Sequence, residues 1–247
     1  MNRLSAAFPC SSLDGELVQL LSTLQLGDTA FPSGRYTLSH GLEELMHTGY
    51  LLAPSDPVRL VGLLVDVLRH GVAPSDGAAL ACAHEALNRE DMFEYALRVD
   101  NRLTSVKLAR EGREASARTG RALLATATEA FGDASVLGYG ALVRSGSAPG
   151  NHAVILGLVS AALGVRRERA VAGDLFSFCM SWSAAAVRLG ITDHRTAQVL
   201  LHRVKPTVVS AARRASTASV SDIRSSTPFL DLMSMRHEQS ELRIFAT

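Results

Sequence analysis

Two histidines and a glutamate near the N-terminus have the side chains and the spacing to bind a divalent metal. His40, Glu44 and His47 lie at positions i, i+4 and i+7, so within a helix they share one face. Imidazole nitrogens and carboxylates are common ligands of such metals. No further ligand is identifiable from the sequence. The alternative interpretation is a polar helix face with two solvated histidines, and we favour it over the metal site.

Other motifs that carry catalytic chemistry are incomplete. His237-Glu238 resembles the start of the HExxH motif of zinc hydrolases, but position 241 is Glu instead of the second His. Gly138-Tyr139-Gly140 lacks the third glycine and the preceding strand of a dinucleotide site. The sequence contains no phosphate-binding P-loop, and no cysteine is obviously placed as a nucleophile. We therefore predict a protein that is not an enzyme, that needs no cofactor, and that binds or assembles other proteins.

Basic residues are concentrated between Arg98 and Arg121, where Glu111 and Glu114 interrupt them. Opposite charges three or four residues apart pair along a helix. This pattern favours a solvated, salt-bridged helix face, and a docking face for an acidic partner is the alternative.

The balance of charge and the cysteine pattern exclude several classes of protein. The 247 residues carry a net charge of +1, so no overall field attracts nucleic acid or anionic membranes. Three widely spaced cysteines, Cys10, Cys82 and Cys179, argue against a disulfide framework and favour a reducing compartment. The apolar run from Ala153 to Val165 is shorter than the roughly 20 residues of a membrane span. We predict a cytoplasmic protein in which this run is a buried core helix.

Helical periodicity and capping signals recur along the chain, and we find no alternating strand pattern. Asp56-Pro57, for example, is a typical helix start, whereas Pro206 is expected to kink or end the last long helix. The predicted helices are 13–26, 36–47, 55–69, 74–87, 91–102, 105–131, 134–144, 151–163, 169–189 and 193–204. The fold class is therefore all-α, with about ten helices in a single globular domain.

Composition divides the chain into three parts. We expect residues 1–12 to be loosely ordered and residues 13–209 to form the helical domain. A connector rich in Ser, Thr and Arg starts at residue 210. It leads to a flexible C-terminal tail, so that residues 210–247 form the third part.

Four segments, in order along the chain, resemble the UreF family of urease accessory proteins. The first runs from Leu24 through the turn Phe31-Pro32-Ser33-Gly34 to Ser39-His40-Gly41-Leu42-Glu43. The second is Arg110-Glu111-Gly112-Arg113-Glu114 with Gly120-Arg121-Ala122-Leu123-Leu124, and the third comprises 152–164 with 183–190. The last is Pro228-Phe229-Leu230-Asp231-Leu232, followed by His237-Glu238 and Leu242-Arg243-Ile244-Phe245. Ser33 and Ile244 depart from the residues common in the family.

The resemblance implies a function and a set of partners. Family members are all-helical, tend to form homodimers, and bridge the accessory protein UreD (also called UreH) and the GTPase UreG. The assembly delivers nickel to the urease apoprotein when GTP is hydrolysed. The expectation for this chain is thus a scaffold in urease maturation, with no contact to nucleic acid or membrane. The alternatives are a direct nickel-binding chaperone or a metal-dependent enzyme that uses His40, Glu44 and His47.

The resemblance also implies which residues contact the partners. Tyr36 in the turn and Arg243 in the tail match family positions linked to partner recruitment. A tail docked against the turn would build a composite surface, and the entropic cost of ordering it must be offset by binding. The partner-binding candidates are Tyr36, Ser39, His40, Glu43, His237, Arg243 and Phe245.

Overall fold

The computed structural model describes residues 15–238 and residue 245, and every regular element among them is helical. The all-α prediction is therefore confirmed. The α-helices in chain order are α1 (Gly15–Gly27), α2 (Leu42–His47), α3 (Pro57–Asp66), α4 (Ala78–Ala86), α5 (Met92–Val106), α6 (Arg110–Ala130), α7 (Ala134–Arg144), α8 (His152–Ala162), α9 (Arg167–Arg188), α10 (His194–Ala215) and α11 (Pro228–His237). Short 3₁₀ helices span Arg35–Thr37 and Val220–Asp222, and a π-helix spans Val67–Gly77. The predicted segment 1–12 lies outside the described residues.

Aspartate side chains begin three of the helices. Asp56 accepts a hydrogen bond from the Val58 amide at the start of α3, where Pro57 is the first helical residue. Asp133 and Asp193 accept from the free amides of the first turns of α7 and α10. Each carboxylate satisfies donors that have no partner within the helix.

Helix α8 lies in the centre of the molecule, packed against α4 and α6. The residues from Ala153 to Ser160 are all buried, which confirms the prediction of a core helix. Gly157 permits a close approach of α8 to α4, because a Cβ atom there would lie 2.5 Å from the Leu80 carbonyl oxygen. Alanine side chains on α4 complete this narrow contact.

Helix α9 packs beside α10 and carries Trp182, which is buried as predicted. By length and composition, α9 is the one helix among the described residues that could cross a membrane. Most of its apolar window is buried inside the protein, as expected of a core helix.

The predicted helix boundary at Pro74 is wrong, because α3 continues through the π-helix into α4. Pro74 lies inside the π-helix. Proline lacks an amide hydrogen and clashes with the preceding turn of an α-helix. The wider π turn leaves room for the proline ring, so the helical backbone continues from α3 into α4.

Helix α10 also continues through a proline, Pro206, and ends at Ala215. The prediction that the helix ends near Val204, and that a connector begins at residue 210, is therefore wrong. Beyond Pro206 the buried residues Val208, Ala211 and Ala212 keep the helical spacing. Their burial outweighs the lost backbone hydrogen bond, because packing of an apolar face supplies most of a helix's stability.

Helix α1 lies close to the predicted range, 13–26, and its leucine face is exposed. None of its residues is fully buried, and Leu17, Leu20, Leu21 and Leu24 are largely exposed. The helix rests on α9 through its other face, where Thr23 and Gly27 approach Gly173 and Ser177. The leucine face of α1 is thus a surface feature of this chain.

Candidate functional site

His237 lies at the end of α11 between two buried carboxylates. Its Nδ1 atom is 2.9 Å from Glu111 Oε2, and its Nε2 atom is 3.2 Å from Glu43 Oε2. The side chains of His237 and Glu43 are almost fully buried, and that of Glu111 is 8% exposed. An imidazolium donates from both nitrogens, whereas a neutral imidazole donates from one. The geometry therefore joins α2, α6 and α11 at one point.

Phe245 adds a second contact from the C-terminal end of the chain. Its amide donates to Glu43 Oε2 at 3.1 Å, and its buried ring lies 4.6 Å below the Arg188 guanidinium carbon. Arg188 is the last residue of α9. Glu43 Oε2 thus lies within hydrogen-bonding distance of two nitrogen atoms that follow residue 236, and a cation–π contact holds the ring.

Charged residues on either side of His237 strengthen the attachment of α11. Arg236 Nε lies 3.4 Å from the buried Glu44 carboxylate. Glu238 accepts from the Glu111 amide at 3.2 Å and lies 3.7 Å from Arg110. A carboxylate at the first turn of α6 is favoured by the free amides and the helix dipole there.

The outer side of α11 is apolar. Phe229, Leu232 and Met235 repeat every three residues and are 39–52% exposed. Tyr50, which follows α2, extends this surface, because its ring centroid lies 4.7 Å from that of Phe229. We call these four residues the α11 ridge. It combines residues from both ends of the chain.

The segment before α2 has an unusual backbone that directs its polar side chains inward. Gly34, His40 and Gly41 have positive φ angles of 76°, 54° and 82°, of which only the value at His40 is uncommon for its residue type. Arg35 donates to Asp174 at 2.6 Å and to His152 Nε2 at 3.3 Å. His40 is 2.9 Å from Ser181 Oγ, which in turn donates to the Arg35 carbonyl.

A pocket of about 220 Å³ between the turn, α6 and the π-helix is lined by Arg35, His40, His152 and Asp174. Burial, together with the positive charges of Arg35 and Arg188, lowers the pKa of His40 to about 3. Burial and Arg35 lower the pKa of His152 to about 4. Both imidazoles are therefore neutral at pH 7, and His40 is the donor to Ser181. Across the pocket, Lys107 pairs with Asp76 at 2.8 Å.

The Lys107–Asp76 pair sets the charge state of the carboxylate. Burial alone raises the pKa of Asp76, but the ammonium group and hydrogen bonds of Lys107 lower it overall. Together with Arg35 and Asp174, this gives the pocket two opposite-charge pairs and two neutral imidazoles. Such polar groups can border a water-filled pocket, and their hydrogen bonds hold the turn in a fixed position.

The proposed metal-binding face on α2 is not formed. Helix α2 begins at Leu42, so the prediction that a helix spans 36–47 is wrong in its first half. His40 precedes the helix and faces Ser181 and Phe178. Glu44 instead pairs with Arg236, with His47 at 4.0 Å. Among the described residues, no group of three His, Cys, Asp or Glu side chains is arranged to hold a metal.

The partner-binding candidates divide into three groups. The structure brings Glu43, His237 and Phe245 into one cluster, and Ser39 is fully buried just before α2. His40 belongs to the neighbouring pocket. Arg243 lies outside the described residues, and so does the side chain of Tyr36, whose backbone is part of the first 3₁₀ helix.

Sequence reasoning missed two residues of this cluster, Glu111 and Arg188. Glu111 had been assigned to the solvated face of the Arg98–Arg121 stretch. A signal was present, since Glu111 precedes the buried Ala115 and Thr119 by four and eight residues. Part of the stretch fits the salt-bridged interpretation, because Arg98 pairs with Asp91 and Glu94 and Arg110 with Glu114.

Fold and site together define a single-domain, all-helical protein whose C-terminal helix is held on α2 and α6. The sequence model of the UreF family matches residues 55–205. A urease accessory protein UreF of Trichodesmium erythraeum (strain IMS101) is 31% identical over 95% of this chain and 99% of the relative. The UreF of Paenarthrobacter aurescens (strain TC1) is 31% identical over 91% and 96%, and UreF 2 of Brucella canis is 30% identical over 95% and 95%.

The chain therefore belongs to the UreF family of urease accessory proteins. Membership implies a role in urease maturation, in concert with other accessory proteins, and the family is one of accessory proteins instead of catalysts.

Proposed function

We propose that this chain is a cytoplasmic, non-catalytic scaffold that bridges UreD/UreH and the GTPase UreG during GTP-dependent nickel insertion into the urease apoprotein. The observation that carries the proposal is the α11 ridge, held in place by the buried cluster of Glu43, Glu111 and His237. Nickel in this scheme is the cargo of the assembly, and UreG supplies the nucleotide site.

The cluster explains why the C-terminal helix presents a defined surface. If His237 left its place, two buried carboxylates on α2 and α6 would lose this partner. Removing the hydrogen-bond partner of a buried polar group costs roughly 1–3 kcal/mol. The position of α11 is therefore coupled to α2 and α6.

The ridge has the composition of a protein-binding surface. Phe229, Tyr50 and Met235 are of the residue types enriched at the centres of interfaces, and Arg59 lies 5.3 Å from the Tyr50 ring. Aromatic anchors with a charged rim are typical of the residues that dominate binding energy. We expect UreD/UreH or UreG to cover this ridge.

Two lysine substitutions on the ridge test the proposal. Leu232→Lys with Met235→Lys places two charges in the apolar contact and should weaken binding of the covering partner by at least about 100-fold, since each buried charge costs several kcal/mol. The measurement is size-exclusion chromatography with light scattering on the chain mixed with purified UreD/UreH and UreG of its host.

The control is Ala125→Lys with Ala141→Lys, which adds the same charge at exposed positions of α6 and α7. This variant should assemble as the wild type does. Complete assembly of the ridge variant with both partners would refute the role of the ridge.

A further inference from the structure

Helix α10 has the most one-sided charge of the molecule's helices. Its 22 residues include Arg195, Arg203, Lys205, Arg213 and Arg214 and no Asp or Glu. The whole chain has 25 Lys plus Arg and 24 Asp plus Glu. The remainder of the chain is thus net negative, and the positive excess of the protein lies on this one helix.

All five cations lie on the outer face of α10. They are exposed, whereas Leu200, Val204, Val208 and Ala211 point into the core. At 100° per residue, the exposed positions fill about half of the helix circumference. The histidines His194 and His202 are exposed on the same side. The face is about 30 Å long, from the rise of 1.5 Å per residue.

Most of these cations have no acidic partner in the described part of the chain. Arg213 forms an ion pair with Glu168 at 3.3 Å. No ion pair with a described residue is found for Arg195, Arg203, Lys205 or Arg214. By contrast, Arg98 of α5 and Arg110 of α6 pair with carboxylates four or seven residues away along the chain.

We propose that the outer face of α10 is a docking surface for a second protein that presents a cluster of carboxylates. Charge complementarity supports this occupant, since four of the five cations have no ion pair with a described residue and an acidic surface would pair them. Exposed Val199 and Val209, 47% and 45% exposed, supply small apolar contacts within the row. The site is separate from the α11 ridge, because α10 packs on α9, α3 and the π-helix, whereas α11 packs on α2 and α6.

The composition of the face favours a protein over nucleic acid or lipid. Helix α10 contains no Phe, Trp or Tyr, and base stacking on such rings is the common means of holding single strands. Helices that lie in membrane interfaces insert Trp, Phe or Leu side chains. The exposed large apolar residues of α10 are two valines, whose short side chains bury too little surface to hold the helix in a bilayer.

The test uses charge reversal on the full-length chain. The variant carries Arg195→Glu, Arg203→Glu and Lys205→Glu, and the probes are the purified urease apoprotein, UreD/UreH and UreG, a choice that rests on the proposed function. Biolayer interferometry should show at least about tenfold weaker binding of one probe. The wild-type affinity for that probe should fall as salt is raised from about 50 to 300 mM.

The matched control carries Arg118→Glu, Arg121→Glu and Arg144→Glu, exposed arginines of α6 and α7 that change the net charge by the same amount. Its affinity should stay near that of the wild type. Equal losses in both variants would overturn the proposal, because they would reflect net charge alone. Wild-type binding that survives the α10 reversal would overturn it while leaving the proposed function intact.

Two further outcomes complete the test. A wild-type chain that binds none of the three proteins overturns both the docking surface and the proposed function. The same variant is also tested against a single-stranded RNA and against vesicles containing phosphatidylserine. If the charge reversal weakened binding only to one of these, the face would bind that ligand, and the proposal of a protein partner would be overturned. Circular dichroism checks that both variants keep the helical fold, as expected for exposed positions.

Discussion

His237 is the residue on which the two ends of the chain depend. Glu43 comes from α2, Glu111 from the first turn of α6, and Phe245 from near the end of the chain. Each carboxylate is buried, so each needs a donor to offset its desolvation. The imidazole presents one nitrogen to each carboxylate, and this geometry fixes the attachment of α11.

His40 gives the molecule a stability that depends on pH. Its pKa is lowered to about 3 in the folded protein, from 6.5, so below pH 6.5 the unfolded chain binds the proton first. The contribution of His40 is fully present above about pH 6.5 and is lost as the pH falls toward 3, at up to about 1.4 kcal/mol per pH unit. His40→Asn should therefore make the free energy of unfolding less dependent on pH between about 7 and 5, as measured by urea titration.

Asparagine suits this position because it tolerates the positive φ angle of His40. The control is Ser181→Ala, which removes the acceptor of the His40 hydrogen bond but keeps the imidazole. That variant should be less stable at every pH and keep a wild-type pH dependence. An unchanged slope for His40→Asn would show that other groups set the acid sensitivity.

At the scale of the element, helix α10 shows how packing overrides a local stop signal. Pro206 is exposed and interrupts the backbone hydrogen bonds of a helix whose inner face is fully packed. Pro206→Ala should restore the missing bond to His202 and raise the free energy of unfolding by about 1–3 kcal/mol. Chemical denaturation of the two proteins measures the difference.

Gln198→Ala is the comparison, because it introduces alanine at another exposed position of α10 without restoring a bond. Its effect should be within about 0.5 kcal/mol. A Pro206→Ala protein that is no more stable than the wild type would mean that the packing of α10 requires the distorted turn.

At the scale of the whole molecule, the leucine face of α1 predicts self-association. Leu17, Leu20, Leu21 and Leu24 form an uncharged stripe, and a twofold contact between identical stripes brings no like charges together. A homodimer is also expected from the family resemblance. Leu20→Glu with Leu24→Glu should convert the dimer to a monomer, as measured by light scattering.

The matched control for that experiment is Ala125→Glu with Ala141→Glu, on exposed positions of α6 and α7. It should keep the wild-type mass. A dimer that persists in the α1 variant would place the contact between copies on another face.

The sequence by itself determined most of the helices and several of their starting points. Asp56-Pro57 and Asp193 act through atoms within a few residues of each other, so capping is a local property that can be predicted from the chain alone. The apolar run of α8 was likewise sufficient, because a segment apolar on all sides has a stable place only in a core. The resemblance named Glu43, His237 and Phe245 as partner-binding candidates, and the structure places the three in contact, while their role in partner binding stays a prediction.

Only the tertiary structure decided which residues of these helices are buried and what they contact. Leu20 of α1 and Glu111 of α6 have environments opposite to those that their side chains suggest. The spacing of His40, Glu44 and His47 predicted that His40 lies in a helix. Instead, His40 and Gly41 have positive φ angles, and α2 begins after them. Burial depends on which faces of distant helices meet, and a favourable packing outweighs the few tenths of a kcal/mol that separate local preferences.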